Sequence, residues 1–324
     1  MKCSKILATV AFASLFAASS FAADEEIIGK YGAITIKKVK NNDGVERIVA
    51  DIDDDSKETP VITKDIEVDS VHFSRVFKVG NKDDNGNENT NRASTLMLPF
   101  DVKQSASWKL DLDLFEFVRI VKESGKNNYE IHVRTENSGH LKANTPYIAL
   151  ARNKDQKIAF NVQYTDQTKI VLKPTAGDHV VRHEEGDYFW DMTGTYENIE
   201  FKNPKNIFGF AASASGTTQL GGFVKAACKD GKCASVRPFR AYLKCVPKNL
   251  NKSADEAELP ETIKVFVVDD NGNKGTTAIG SLNTRTGEFV KEDNRWFDMK
   301  GRVLDHKPTA KGTYYNNKKK VIIK

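Results

Sequence analysis

LDLDLFEFVRIV, residues 110–121, decides the fold class. Leu110, Leu112 and Leu114 alternate with Asp111 and Asp113, the period of two that gives a strand one apolar and one polar side. The parity then flips to Phe115 and Phe117, and a flip inside one apolar run predicts a bulge or the start of a new strand. Downstream, Tyr129 to Val133 is a second strand, and the two pair across Ser124-Gly125-Lys126.

The same reading extends in both directions. Upstream, Ala93 to Val102 (ASTLMLPFDV) is apolar on both faces and reads as a central strand ended by Pro99. Ile66 to Val68, Val71 to Phe77 and a hairpin over 31–52, turning at Asn41-Asn42-Asp43-Gly44, precede it. Downstream come Tyr147 to Ala151, Ile158 to Gln163, Lys169 to Leu172, Tyr188 to Tyr196, Ile207 to Ala212, Gly222 to Cys228 and Cys233 to Val236. Phe239, Ala241 and Leu243 then alternate with Arg240, Tyr242 and Lys244. Short apolar runs recur every ten to fifteen residues between Gly, Asn and Asp, and no window of a dozen sustains a helical repeat. The fold class is therefore all-β, expected as a β-sandwich, jelly-roll-like body over 63–248. An N-terminal hairpin segment (24–62) packs on it, and a polar linker (249–260) leads to a small C-terminal β domain (261–324).

Length and composition set outer bounds. A chain of 324 residues, 39% hydrophobic and 29% charged, is globular rather than disordered. Lys2 and Lys5 precede an apolar run from Ile6 to Ala18 and the small-x-small site Ser20-Phe21-Ala22, the pattern of a signal peptide cleaved near residue 23. That run is too short for a membrane span, and no later stretch has the length for one. Removing 1–23 takes away two lysines and no acid, so the formal +5 becomes +3. Residues 295–324 hold nine Lys/Arg and two Asp, a net +7, which leaves −4 for the rest. The basic balance belongs to the tail, and the remainder lacks the clustered Lys/Arg of a nucleic-acid footprint.

Three cysteines follow the leader. Cys228 and Cys233 flank Lys229-Asp230-Gly231-Lys232, and an Asp-Gly hairpin turn sets Cys228 opposite Cys233 as the closer, non-hydrogen-bonded pair. A Cys228–Cys233 disulfide is expected in an oxidising compartment, with a Cys245 pairing as its competitor.

Several patterns bear on chemistry. Asp51 to Asp55 and Asn81 to Arg92 each echo a calcium loop. Ser56 stands where the first needs Gly, and Ile62 and Arg92 stand where the two loops need a Glu, so both read as solvated loops. His179-x-x-x-His183-Glu184-Glu185 would grip a metal on a helix. In extended chain the two imidazoles lie roughly 13 Å apart, so an exposed polar loop is expected. No cofactor motif appears. Glu184, Glu185, Asp187, Asp191, Asp111 and Asp113 could supply a carboxylate pair for glycoside hydrolysis. Tyr188 and Trp190 on one strand face, with Trp108 beside a loop, are candidates for stacking on sugar rings.

The end of the chain, RWFDMKGRVLDHKPTAKGTYYNNKKKVIIK, reads as Trp296-Phe297, a turn at Gly301-Arg302, Val303-Leu304, then Gly312 to Tyr315, a turn at Asn316-Asn317, and Val321 to Ile323. Gly301, Gly312-x-Tyr314 and the basic, apolar finish from Lys320 to Lys324 resemble the C-terminal sorting domain of type IX secretion, an outer-membrane export route of gut and rumen bacteria. Within the body, TLMLPFD (95–101), ANTPY (143–147), GTY (194–196), FGF (208–210) and PFRAY (238–242) are together similar to a β module of exported proteins from such bacteria. The resemblance implies delivery through the type IX export machinery to the cell surface or medium, and assigns no reaction. The expected function is a non-catalytic adhesion or scaffold protein whose partner is a glycan or another surface protein. Carbohydrate binding through Trp190, Tyr188 and Trp108 is the alternative, and a glycan-active hydrolase the third.

Overall fold

A computed structural model describes residues 24–40, 44–76, 93–102, 112–123, 128–136, 140–151, 157–163, 169–211, 222–249 and 259–268. Towards the C-terminus it describes 280–283, 288–291, 296–299, 303–304, 308–309, 311–316 and 319–323. Among the described residues there is no helix, and the protein is all-β.

One twelve-stranded sheet dominates. Half of its path runs Ala93–Leu96, Tyr147–Ala151, Leu112–Lys122, Tyr129–Thr135 and Thr262–Val268. The other half runs Phe223–Lys225, Ile207–Phe210, Arg240–Pro247, Tyr188–Thr195 and His179–Glu185. Among the described residues the ladder between the halves is the short pairing of Phe223 with Ile263 and Val224 with Thr262. At that narrow seam the sheet folds over, so the halves face each other as two layers. Tyr129 meets Trp190 with ring centroids 5.0 Å apart, and Phe117 meets His183 edge-on at 4.7 Å. At the other margin the Thr95 hydroxyl donates to Ala241 O and accepts from Ala241 N, both at 2.9 Å, closing the layers like a ladder rung.

A third layer covers the outside of the first half. It is a five-stranded sheet ordered Asp24–Tyr31, Ile34–Lys40, Glu46–Ile52, Ser70–Val76 and Lys157–Gln163, parallel only between the third and fourth strands. The first two strands turn at Gly32, whose φ is +59° and where a Cβ would sit 2.0 Å from Thr59 O, so only glycine fits. Two cores result. Phe115, Phe117, Ile120, Ile148, Leu150, Trp190, Phe208 and Leu243 fill the space inside the folded sheet. Leu112, Leu114, Tyr147, Ala149, Ile34, Ile52 and Phe73 fill the space beneath the five-stranded sheet.

This arrangement explains residues 112–122. They form one strand, and the flip at Leu114/Phe115 is a change of core, with the leucines facing the outer core and the phenylalanines the inner one. The bulge lies further on, between Phe117 and Arg119, and re-aims Ile120 inward. Burying these five large side chains supplies roughly 10 kcal/mol of gross stabilisation, an upper bound because unfolded chains are partly compact.

Four sequence expectations change. The 62/63 boundary falls within one structural unit, since Glu46–Ile52 pairs with Ser70–Val76 in a single sheet. Thr262–Val268 belongs to the body: it runs parallel to Tyr129–Thr135 and buries Ile263 and Val265, and Leu259 ahead of it is buried in the same core. Only Ala93–Leu96 of the 93–102 run is strand, and it ends the sheet path instead of lying centrally. It is wholly buried because Ala241 of the facing layer bonds Thr95 and the two cores pack on Leu96 and Ala93. The His179–Glu185 segment, expected as a loop, is a strand whose Arg182 grips Asp191 on its neighbour through two 2.7 Å bonds.

In the tail, Val303–Leu304, Trp296–Phe297, Gly312–Asn316 and Lys319–Ile323 form a four-stranded antiparallel sheet in that order.

Candidate binding pocket and the ion-pair joint beside it

The strand Ser70–Val76 buries Val71, Phe73 and Arg75 and exposes His72, Ser74 and Val76. Arginine on the buried parity of a strand needs a buried counter-charge. Asp54 provides it, from the turn after Glu46–Ile52. Asp53 shapes that turn, donating its N–H to Ala33 O at 2.9 Å and accepting from Asp55 N at 3.0 Å. Asp54 thereby points inward and is only 5% exposed, which corrects the reading of Asp51–Asp55 as a solvated turn.

Two guanidiniums close on that carboxylate with four hydrogen bonds. Arg75 donates through Nε at 3.0 Å and Nη2 at 2.8 Å. Arg240, from the second layer of the sandwich, donates through Nη1 at 2.6 Å and Nη2 at 2.8 Å. Arg75 also donates to Ser94 Oγ at 3.2 Å, Thr95 O at 2.6 Å and Phe239 O at 3.0 Å. Phe239 takes a left-handed φ of +61°, which accompanies a carbonyl shared between Arg75 and Met97 N. The joint thus ties the five-stranded sheet to both layers of the sandwich. Burial alone would raise the Asp54 pKa, but the adjacent Arg75 and Arg240 overcome it and hold the group at about 2. Burial and the neighbouring Arg75 lower Arg240 to about 10, against the pull of Asp54, and it stays charged at neutral pH. Two cations on one anion leave the joint with one net positive charge.

Beside the joint opens a pocket of about 260 Å³. Arg240, Ser94 and Thr95 belong to both. Phe201, Phe210, Ala226, Ala234 and Val236 give it a mainly apolar wall, and Arg237 and Ser235 add polar groups. Tyr242 holds the Phe201 ring edge-on at 5.0 Å, and Phe223 holds Phe210 at 5.3 Å. Ala226 and Ala234 flank the Cys228–Cys233 hairpin. Its disulfide is formed, with the expected pairing of Cys228 opposite Cys233 and Lys229 opposite Lys232 across positive-φ Asp230 and Gly231. Cys245 is free and buried.

No family model matches this chain, and no curated protein or solved structure matches it either.

The residues singled out from the sequence lie elsewhere. Trp190 is completely buried between Tyr129 and Phe208, and its Nε1–H has no partner among the described residues, so its ring is core and offers no face to a sugar. Tyr188 is half-buried against the same core. Trp108, Asp111, the 81–92 loop and the tail glycine Gly301 fall outside the described residues. Asp191 is held by Arg182, Glu184 pairs with Lys248 at 2.7 Å, and Glu185 accepts Lys122 N at 2.9 Å. His179 and His183 sit on backbone carbonyls, Thr175 O at 3.1 Å and Phe117 O at 3.3 Å. Among the described residues no group of three potential ligands could hold a metal ion. Sequence reading did not single out the joint or the pocket; the signal that could have found part of it is Arg75, a cation on the inward parity of an alternating strand.

Proposed function

We propose that the chain is an exported, non-catalytic β-sandwich protein that binds a partner at or beyond the cell surface. Its tail serves as the ticket to the type IX export machinery. The observation that carries the binding part is the pocket beside the Asp54 joint. It is a preformed concavity whose described lining includes cations, hydroxyls and apolar groups but no Asp or Glu. A wall without a carboxylate lacks the acid and base of glycoside hydrolysis, and a joint of four charge-assisted bonds keeps it rigid enough to recognise a shape. The carboxylates Asp191, Glu184 and Glu185 are engaged in local pairs, in keeping with a structural role. Glycan stacking on Trp190 is not carried forward, because that ring is buried. The export part rests on the Gly301, Gly312-x-Tyr314 and Lys320–Lys324 pattern.

Protease shaving of intact cells, with the full chain beside a truncation lacking 295–324, tests export: the truncated protein should stay protected inside the envelope. Equal surface exposure of both forms would remove the sorting role. Release of reducing ends from a polysaccharide panel, abolished by a single Asp or Glu substitution, would remove the non-catalytic reading.

A further inference from the structure

We propose that the pocket between Phe201, Phe210 and Ala234 is a binding site for a small organic carboxylate, with the anionic end at Arg237 and Arg240 and the ring or hydrocarbon body against the two phenylalanines. The inference deepens the binding reading and is independent of the export one.

Three features converge on this chemistry. The first is charge. Asp54 neutralises only one of the two guanidiniums upon it, so the wall shared with Arg240 is cationic at a place where solvent is partly excluded. The Arg240 side chain is 18% exposed and Arg75 4%. A ligand anion there completes the balance. Arg237 is on hand for direct contact: among the described residues its ion pair is a 3.5 Å one with Asp55, whose side chain is 97% exposed, so water screens that pair heavily. The second is shape. About 260 Å³ lies at the small end of ligand pockets and suits a single ring or a short chain. The third is lining: the Phe201 and Phe210 rings, each held edge-on by another aromatic, give flat apolar surfaces that a charged ligand without a body would leave unused. The charge selects an anion, and the apolar walls select one that carries carbon.

Two sources share this chemistry, a free aryl or alkyl acid and the uronate of an acidic glycan. Calorimetric titration of the mature full-length protein with benzoate and with galacturonate separates them when benzyl alcohol and galactose serve as the neutral counterparts. At least one carboxylate should bind about tenfold or more tighter than its neutral counterpart, and the tighter of the two names the source. Arg237→Gln should weaken the binding by about tenfold. The Arg237 side chain is 45% exposed, so the fold should survive this change. Ala234→Leu should abolish binding by filling the pocket with the charges left in place. Equal affinity for acids and their neutral counterparts would overturn the proposal. So would carboxylate binding that both variants leave intact, since the anion would then sit elsewhere. If neither acid binds while neutral or macromolecular partners still do, this inference fails and the binding reading stands.

Discussion

Replacing Asp54 by Asn tests whether the three layers depend on one carboxylate. Asparagine keeps the size of the side chain but has one acceptor oxygen, and its amide N–H groups would face guanidinium donors. Arg75, 4% exposed, and Arg240, 18% exposed, would lose the anion that offsets their burial. Removing one member of a buried ion pair costs about 3–5 kcal/mol. A second route gives a similar scale. The Asp54 pKa drops from 3.8 to about 2 on folding, and at about 1.4 kcal/mol per pK step this is roughly 2–3 kcal/mol of pH-dependent stability. The group is depressed in the fold, so its contribution is complete above about pH 4 and is lost as pH falls towards 2. Asp54→Asn should therefore lower the urea midpoint at pH 7 by an amount equivalent to at least 3 kcal/mol. Its stability should also decline less than wild type between pH 5 and pH 2, by roughly 2 kcal/mol. Some acid sensitivity will remain, because hydrogen bonding from His72 and Lys37 holds Asp51 at about 2 as well, against its burial. A loss under 1 kcal/mol at pH 7, or parallel acid profiles for the two proteins, would refute the joint.

Three further outcomes follow from packing and burial. A Cβ at Gly194 would lie 2.1 Å from Met97 Sδ, so Gly194→Ala should destabilise by about 1–3 kcal/mol; combining it with Met97→Ala should recover part of the cost in a denaturant double-mutant cycle. Trp190→Ala should cost about 3–5 kcal/mol, and Trp190→Phe much less, because it also removes the unpartnered buried Nε1–H; equal losses in thermal unfolding would contradict that placement. Burial pushes the Cys245 thiol up to about 12, so at pH 8 it should resist a thiol reagent in the native protein and react at once in guanidinium; fast native labelling would show that the site is open.

Local order was legible wherever it depended on neighbours in the chain. Period-two alternation places the strands, and the Asp230-Gly231 turn alone determines that Cys228 faces Cys233. Arg75 could have been flagged from its parity as a buried cation. Its partner could not: Asp54 is one of four aspartates within residues 51–55, and which of them turns inward depends on a bond from Asp53 N to Ala33 O. Arg240 sits on the polar parity of its strand and is covered only because another layer arrives there.

Alternation in a chain reports that a face is dry without reporting what dries it. Leu114 and Phe115 are both buried, yet they face different cores, a distinction that exists only once the five-stranded sheet covers one side and the folded sheet the other. The pocket is of the same kind, since Ser94, Phe201, Ala234 and Arg240 share a wall across almost 150 residues. Side-chain period is a property of adjacent residues and can be read from their order. Contacts between layers depend on how distant strands curl and dock, so the joint and its pocket come into being only in the assembled tertiary structure.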